Sequence, residues 1–285
     1  MPPPAADDLY EVLVVKYAEF ATTRRDVYLH YDLYGEPDGP IELAYYVWIA
    51  RNGARTVVID TGFRPSVGRA RGRTPLQDPV EACERVGVRA ATVRDVVLTH
   101  AHFDHAGCLD AFPDATVHMT AREHEFWRGG LRSRILLGGA VEDADLAALD
   151  RARSEGRIAV FADRSRPWPG IELVRVGGHT PGQCIALVET LEGTVLIASD
   201  AAHLDEEIDR DMPFWLVADL PEMYEGLRLI RDLRASGRVA HVLTGHDPAV
   251  LARLRPLPGG EGLVGVIGGF SGEERLERGA IWPAE

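Results

Sequence analysis

The sequence predicts a soluble α/β protein, and three observations support that prediction. Short runs rich in β-branched residues alternate with longer segments of helical periodicity along the chain. Polar side chains able to bind metals follow directly after several of these runs, where open α/β sheets place their ligand crevices. Apolar residues make up 46% of the 285-residue chain and charged residues 26%, a balance typical of a globular protein with a full hydrophobic core.

The predicted elements follow in chain order. Runs rich in β-branched residues predict strands over 55–59, 93–98, 171–176, 194–198 and 239–243, and Tyr45–Trp48 is interpreted as strand core. Helical spacing predicts helices over 78–86, 121–127, 141–156 and 221–236. No Pro-, Ser- or Gly-rich linker divides the middle of the chain. Residues 1–285 are therefore predicted to form one domain, with an N-terminal extension over about 1–40 and a C-terminal tail over about 252–285.

Charge and composition disfavour several classes of function. Lys and Arg total 31 against 44 for Asp and Glu, and the net charge of −13 has the wrong sign for binding nucleic acid or an anionic membrane. Cys83, Cys108 and Cys184 form no CxxC pair, so packing roles in a reducing compartment are expected. The sequence shows neither a secretory signal nor a run of the roughly 18 apolar residues that span a membrane. We expect a cytoplasmic protein that acts on a small molecule.

The densest cluster of metal-competent side chains is the segment Thr99-His-Ala-His-Phe-Asp-His-Ala-Gly107. On extended chain, His100 and His102 project to the same side, and Gly107 allows a turn that brings Asp104 and His105 nearby. Burying such a cluster without compensation costs several kcal/mol, and metal ligation is the usual compensation. The layout suits two adjacent cations better than one.

Other candidate ligands end strands beside glycine-rich turns, namely His179, Asp200 and His246. Three histidines on one ion, an aspartate and two histidines on the other, and a carboxylate between them would leave room for water. The remaining histidines considered, His30, His118, His124 and His241, are expected to be core or surface residues, and Asp247 a turn residue.

The order of these residues along the chain resembles the metallo-β-lactamase superfamily from about residue 40 to 250. The resemblance implies a metallo-β-lactamase-type four-layer αβ/βα sandwich with two divalent metal ions, expected to be zinc, between its halves. It assigns His100, His102 and His179 to one ion, Asp104, His105 and His246 to the other, and Asp200 to the bridge between them. It also gives Asp60 the role of orienting a ligand histidine.

Two ions about 3.5 to 4 Å apart lower the pKa of a water that they share. The resemblance therefore predicts hydrolysis by attack of a metal-bound hydroxide, and Asp104 is expected to move a proton during the reaction. Three segments resemble the N-acyl homoserine lactone lactonases: Val-Val-Ile-Asp60-Thr-Gly-Phe63, His179-Thr-Pro-Gly182 and Ser199-Asp-Ala-Ala. We therefore expect a dinuclear metal-dependent hydrolase that opens an N-acyl homoserine lactone or a related cyclic ester.

Those lactonases carry a tyrosine three residues after the bridging aspartate. Here His203 stands at that place, as a catalytic hydrogen-bond donor or acid.

The stretch 203–220, which contains Met212, Phe214 and Trp215, is predicted to cover the metals and form a substrate pocket. Phe126 and Trp127 are a second candidate cover, and the apolar patch around Phe126 is a candidate homodimer interface.

Two alternative functions stay open at this point. One is a glyoxalase II-like thioesterase, although Arg253, Arg255, Arg275 and Arg278 form no evident clamp for glutathione carboxylates. The other is a metal-stabilised binding protein without turnover, whose ions would lack an open coordination position.

Overall fold

Two β-sheets pack face to face between outer helices in the computed structural model, which describes residues 8–260 and 262–269. The strands are β1 Glu11–Thr23, β2 Pro40–Arg51, β3 Thr56–Ile59, β4 Thr74–Pro75, β5 Asp95–Val97, β6 Thr116–Thr120, β7 Ile158–Phe161, β8 Arg164–Trp168, β9 Ile171–Arg175, β10 Cys184–Thr190, β11 Gly193–Ser199, β12 His241–Thr244, β13 Arg255–Pro256 and β14 Val264–Ile267. The helices are α1 Arg24–Val27, α2 Pro65–Ala70, α3 Pro79–Arg85, α4 Phe103–Ala106, α5 Ala121–Arg128, α6 Ile135–Gly138, α7 Asp143–Ser154, α8 Asp205–Arg210, α9 Leu220–Ala235 and α10 Ala249–Ala252.

The two sheets differ in size and topology. The larger has the order β13-β14-β1-β2-β3-β5-β6-β7, with β4 paired beside β1, and the smaller has the order β12-β11-β10-β9-β8. Strands β3, β5, β6 and β7 run parallel, and so do β11 and β12 in the smaller sheet. Because the carboxyl ends of parallel neighbours lie side by side, the polar residues that follow β3 and β5 meet at one edge, and those that follow β11 and β12 meet at another.

Alternate residues of the central strands face different cores, and this alternation defines four layers. In β1, Val12 belongs to a buried cluster between the two sheets that also contains Leu173 of β9. Its neighbour Leu13 belongs to a cluster on the outer face of the larger sheet, together with Leu149 of α7. A third cluster joins the smaller sheet to α8 and α9. The predicted four-layer αβ/βα sandwich is confirmed.

The predicted strands and helices are present, with ends that shift by one or two residues; residues 141–156, for example, become Asp143–Ser154. Side-chain caps explain several helix starts. Asp78 accepts the backbone N–H of Val80 at 2.9 Å, and Thr120 accepts that of Glu123 at 3.1 Å. These caps satisfy backbone donors that the first turn of a helix leaves unpaired.

The regions interpreted as an N-terminal extension and a C-terminal tail contribute strands to the larger sheet within the described residues. Strand β1 lies within residues 1–40 and pairs antiparallel with β2 and β14. Strands β13 and β14 lie within the predicted tail. Neither region carries a candidate ligand, and neither contains one of the β-branched runs from which the strands were predicted. Residues 1–7 and 270–285, including Arg275 and Arg278, lie outside the described residues.

Cys83, Cys108 and Cys184 are all buried and none forms a disulfide, as expected for residues with a packing role. Among the described residues, no helix has the length and apolar character needed to cross a bilayer.

Candidate metal centre

The seven predicted ligands leave the ends of strands from both sheets and meet between the two halves of the sandwich. His100, His102, Asp104 and His105 follow β5, whereas His179 follows β9, Asp200 follows β11 and His246 follows β12. All seven are buried. Their ligand atoms form two groups, each with members within 4.8 Å of one another: His100, His102 and His179, and then Asp104, His105, Asp200 and His246.

The first group is a triangle of imidazoles. The ring centroids of His100, His102 and His179 lie 4.5 to 4.9 Å apart, and the rings are nearly perpendicular. Nε2 of His179 lies 2.9 Å from Nδ1 of His102, and Nε2 of His100 is buried without a hydrogen-bond partner. Three ring nitrogens that converge in this way match a three-histidine metal site with an open fourth position.

Asp200 lies between the two groups and contacts members of both. Oδ1 lies 3.3 Å from Nε2 of His105 and 3.2 Å from Nε2 of His246, both in the second group. Oδ2 lies 3.4 Å from Nε2 of His179 in the first group and also 3.3 Å from Nε2 of His246. Nε2 of His105 and Oδ1 of Asp200 are buried and make no hydrogen bond. Nitrogen and oxygen atoms that are buried without hydrogen-bond partners can serve as metal ligands, and this set fits two divalent cations joined by a carboxylate.

The electrostatic environment keeps the first group neutral. Burial and the neighbouring imidazoles hold the pKa values of His100 and His179 well below the usual histidine value. Burial lowers the pKa of His102 to about 4, against the opposing effect of Asp104 and Asp200. Neutral imidazoles present the lone pairs that a metal requires, so these three histidines are ready to bind without first losing a proton.

Asp60 lies beside His105, one of the candidate ligands. Its Oδ2 accepts a hydrogen bond from Nδ1 of His105 at 2.8 Å, which leaves Nε2 of that ring facing the second group. The same carboxylate accepts the backbone N–H and the hydroxyl of Thr99, each at 2.8 Å, and the hydroxyl of Ser199 at 3.2 Å. Hydrogen bonds of this kind set the tautomer of a metal ligand.

Glu123 connects two of the ligand loops, although the sequence analysis did not identify it. One of its oxygens accepts the N–H of Ala101 at 2.9 Å and the indole N–H of Trp127 at 2.6 Å. The other accepts the hydroxyl of Thr180 at 2.7 Å and the N–H of Gly182 at 3.1 Å. Burial raises the pKa of this carboxyl, and the four hydrogen bonds oppose that effect. The only sequence signal was the Thr120-x-x-Glu123 pattern, which predicts a helix start.

His203 lies beside Asp200 at the bottom of the cavity. Its ring stacks on Phe214 with centroids 3.7 Å apart, and its Nε2 lies 3.1 Å from Oδ2 of Asp200. Nδ1 lies 3.3 Å from Glu207, a fully buried carboxylate that also accepts the N–H groups of His203 and Leu204. Burial lowers the pKa of His203, but Asp200 and Glu207 raise it to about 9.

A cavity of about 650 Å³ opens over both ligand groups. Phe214 and Trp215 line it, and Trp215 is 48% exposed. Ile135 and Leu136 of α6 also line it and are 88% and 76% exposed. The cavity thus has a metal-binding floor and an apolar wall, an arrangement typical of sites for small molecules.

Three predicted covering residues lie elsewhere. Met212 is fully buried in the cluster on the outer face of the larger sheet and does not line the cavity. Trp127 is buried behind His102, with ring centroids 5.7 Å apart, and Phe126 packs against the same core. Helix α5 turns these aromatic side chains inward, so its apolar residues support a ligand loop. The exposed apolar residues near this helix are Leu131, Ile135 and Leu136.

Tyr45 also belongs to the site, although the sequence analysis interpreted it as strand core. Its ring lines the cavity and lies edge-on to His246 at 4.7 Å. The other histidines lie outside the two ligand groups: His118 pairs with Asp95, His241 lies near Glu192, His124 is half-buried and His30 is exposed. Asp247 accepts backbone N–H groups in a turn.

Comparisons with known proteins agree with this geometry. The family model described as the metallo-beta-lactamase superfamily matches residues 40–246. The N-acyl homoserine lactonase AttM of Azorhizobium caulinodans is 29% identical over 65% of this chain and 71% of its own length. A solved N-acyl homoserine lactone hydrolase, with the product N-hexanoyl-L-homoserine bound at its catalytic metal center, has a TM-score of 0.68 and 18% identity over 88% of this chain and 98% of its own. The dizinc quorum-quenching lactonase AidC has a TM-score of 0.67 and 17% identity over 86% of this chain and 90% of its own. The family match spans most of the chain, and this protein belongs to the metallo-beta-lactamase superfamily.

Proposed function

We propose that this protein is a dinuclear metal-dependent hydrolase that opens lactones, with zinc as the expected metal. The observation that supports this best is the position of Asp200, which contacts His179 of the first ligand group and His105 and His246 of the second. The names of the relatives, among them a dizinc lactonase, agree with the proposal. When bound, two divalent cations supply Lewis acidity and lower the pKa of a coordinated water.

The residues of the chain have distinct proposed roles in this reaction. Asp104 lines the cavity, and its Oδ2 lies 3.6 Å from Nε2 of His246, so it is placed to carry a proton to the leaving alkoxide. His203 lines the same floor, with Nδ1 3.3 Å from Glu207 and Nε2 3.1 Å from Asp200. Its proposed role is to present the N–H on Nε2 to the carbonyl oxygen of the ester beside Asp200. The apolar wall of Phe214, Ile135 and Leu136 would exclude water and hold an apolar substituent.

A substrate panel on protein of measured metal content tests this proposal. We expect metal-loaded protein to open N-acyl homoserine lactones or simple γ-lactones at least about tenfold more efficiently than it cleaves S-lactoylglutathione or a phosphodiester. Replacing the proton carrier, Asp104→Asn, should lower kcat about 10²- to 10⁴-fold. His118→Asn, which removes an imidazole outside the cluster, is the matched control and should leave kcat unchanged. Fully metallated protein that opens no lactone, or that prefers the thioester, would contradict the proposal.

Location in the cytoplasm and assembly as a homodimer stay predictions. The apolar surface formed by Leu131, Ile135 and Leu136 is the described region that a dimer interface would most readily use.

A further inference from the structure

One cation in the cavity, Arg73, has no counterion among the described residues. The cavity lining contains Arg25, Arg71 and Arg73. Arg25 pairs with Asp32 and Asp38. Arg71 donates to Glu142 at 2.7 Å and to the carbonyl of Gly139 at 2.9 Å. Arg73 forms no ion pair with any residue in the described part of the chain.

The guanidinium of Arg73 is nevertheless held in a defined orientation. Its Nε donates to the hydroxyl of Tyr45 at 3.0 Å, and its Nη1 donates to the carbonyl of Arg71. The guanidinium also lies over the ring of Phe20, 4.4 Å from its centroid, and 5.6 Å from the ring centroid of Phe103. Its Nη2 makes no hydrogen bond to another described residue. Four neighbours therefore hold the planar group, and its Nη2 is left without a partner among the described residues.

Arg73 belongs to the same cavity as the metal centre. Tyr45, which accepts the hydrogen bond from Arg73, also contacts His246 through its ring at 4.7 Å. Phe103, against which Arg73 packs, lies between the ligands His102 and Asp104 in the chain. One aromatic residue thus separates the guanidinium from the metal ligands, and a small molecule can contact both.

The acidic residues of the cavity do not neutralise Arg73. Asp104 and Asp200 belong to the metal-ligand groups. Asp26 also lines the cavity, but it is exposed and accepts hydrogen bonds from the hydroxyls of Thr22 and Thr23. An oriented, partly buried guanidinium whose Nη2 has no partner among the described residues is suited to a carboxylate, which accepts a charge-assisted hydrogen bond from it.

We propose that Arg73 binds a carboxylate on the substrate, so that the preferred substrate is a lactone with an anionic group remote from the ester that is cleaved. The inference rests on the proposed lactonase function and specifies its substrate class. A neutral amide carbonyl could accept a hydrogen bond from the same Nη2 but would not supply the missing counterion. The test therefore compares a carboxylate with its neutral amide.

The experiment uses a γ-lactone with a carboxyl group on a short side chain, together with the corresponding carboxamide. Metal-loaded wild-type protein should prefer the carboxylate at least about tenfold, mainly through KM. Arg73→Gln should raise KM for the carboxylate about 10- to 100-fold and leave kcat/KM for the carboxamide within about threefold. Arg73→Lys should restore part of the preference, since it keeps the charge. Arg94→Gln, at an exposed arginine that pairs with Asp114 outside the cavity, is the control and should behave like wild type.

Two results would overturn the inference: equal use of the two lactones by the wild type, or equal losses for both in Arg73→Gln. If the wild type opens neither lactone, the proposed function fails, and calorimetry then judges the Arg73 site separately. The probes are the ring-opened hydroxy dicarboxylate and its carboxamide analogue. A preference for the dicarboxylate that Arg73→Gln abolishes supports the site, whereas equal affinities refute it.

Discussion

At the scale of single residues, the buried carboxylates of Asp60 and Glu123 act as acceptors for groups that would otherwise be unsatisfied. Asp60 accepts hydrogen bonds from Thr99, His105 and Ser199. Glu123 accepts four: one from the His100–His102 segment, two from the His179 loop and one from Trp127 of its own helix. Both oxygens of an ionised carboxylate accept hydrogen bonds, whereas an amide has one accepting oxygen and a donating NH₂ group. Only a carboxylate can therefore satisfy all of these donors. These two residues therefore hold the ligand loops in register without touching a metal.

Glu123→Gln tests this role because the substitution keeps the shape of the side chain. The amide NH₂ would face at least one of the four donors, and we expect the free energy of unfolding to fall by about 2 kcal/mol. Affinity for cobalt at the three-histidine group should fall more than affinity at the second group, as read from the visible absorption of bound Co²⁺. Glu125→Gln, at an exposed position of the same helix, is the control. If the two variants behave alike, Glu123 has no positioning role.

At the scale of elements, the ends of β11 and β12 depend on a close approach that only glycine permits. A Cβ atom at Gly245 would lie 2.4 Å from Oδ1 of Asp200 and 2.9 Å from the carbonyl of Ser199. The parallel pairing of β11 with β12 brings these residues together, so one loop supplies a ligand while the next leaves space for it.

We predict that Gly245→Ala displaces Asp200 and lowers both the metal content and the activity of purified protein at least about tenfold. The reason is steric, since the added methyl group would overlap a carboxylate oxygen and a backbone carbonyl that cannot easily move. Elemental analysis together with a lactone assay measures the effect. Gly39→Ala is a matched control, because a Cβ atom there meets nothing within 4 Å. Full metal occupancy in Gly245→Ala would refute this account of the loop.

At the scale of the whole molecule, the metal centre joins two halves that have separate outer cores. The segment after β5 supplies four of the seven candidate ligands from the larger sheet, and the smaller sheet supplies His179, Asp200 and His246. The cluster between the sheets contains apolar side chains from both. Binding of metal ions across this junction should stabilise the fold as a whole, because cations that bind only the folded state shift the unfolding equilibrium towards it.

Removal of metal by a chelator should therefore lower the melting temperature. For a cation present at 100 to 1,000 times its Kd, linkage gives about 3 to 4 kcal/mol, which corresponds to a fall of about 5 to 15 °C in a chain of this size. Differential scanning fluorimetry before and after chelation, and again after zinc is restored, measures the change. An unaltered melting temperature in protein shown to have lost its metal would rule out a stabilising role.

The sequence by itself determined the α/β class, the principal strands and helices, and the candidate ligands, because hydrophobic periodicity and a dense run of His and Asp residues are local patterns. Only the tertiary structure revealed that Glu11–Thr23 is a strand within the larger sheet, since that strand is defined by its partners β2 and β14. It likewise revealed Tyr45, Arg73 and Glu123, whose importance depends on contacts with residues distant in sequence. Local chemistry identifies groups that can bind a metal. Which side chains orient those groups, and which one lacks a counterion, depends on how the folded chain packs.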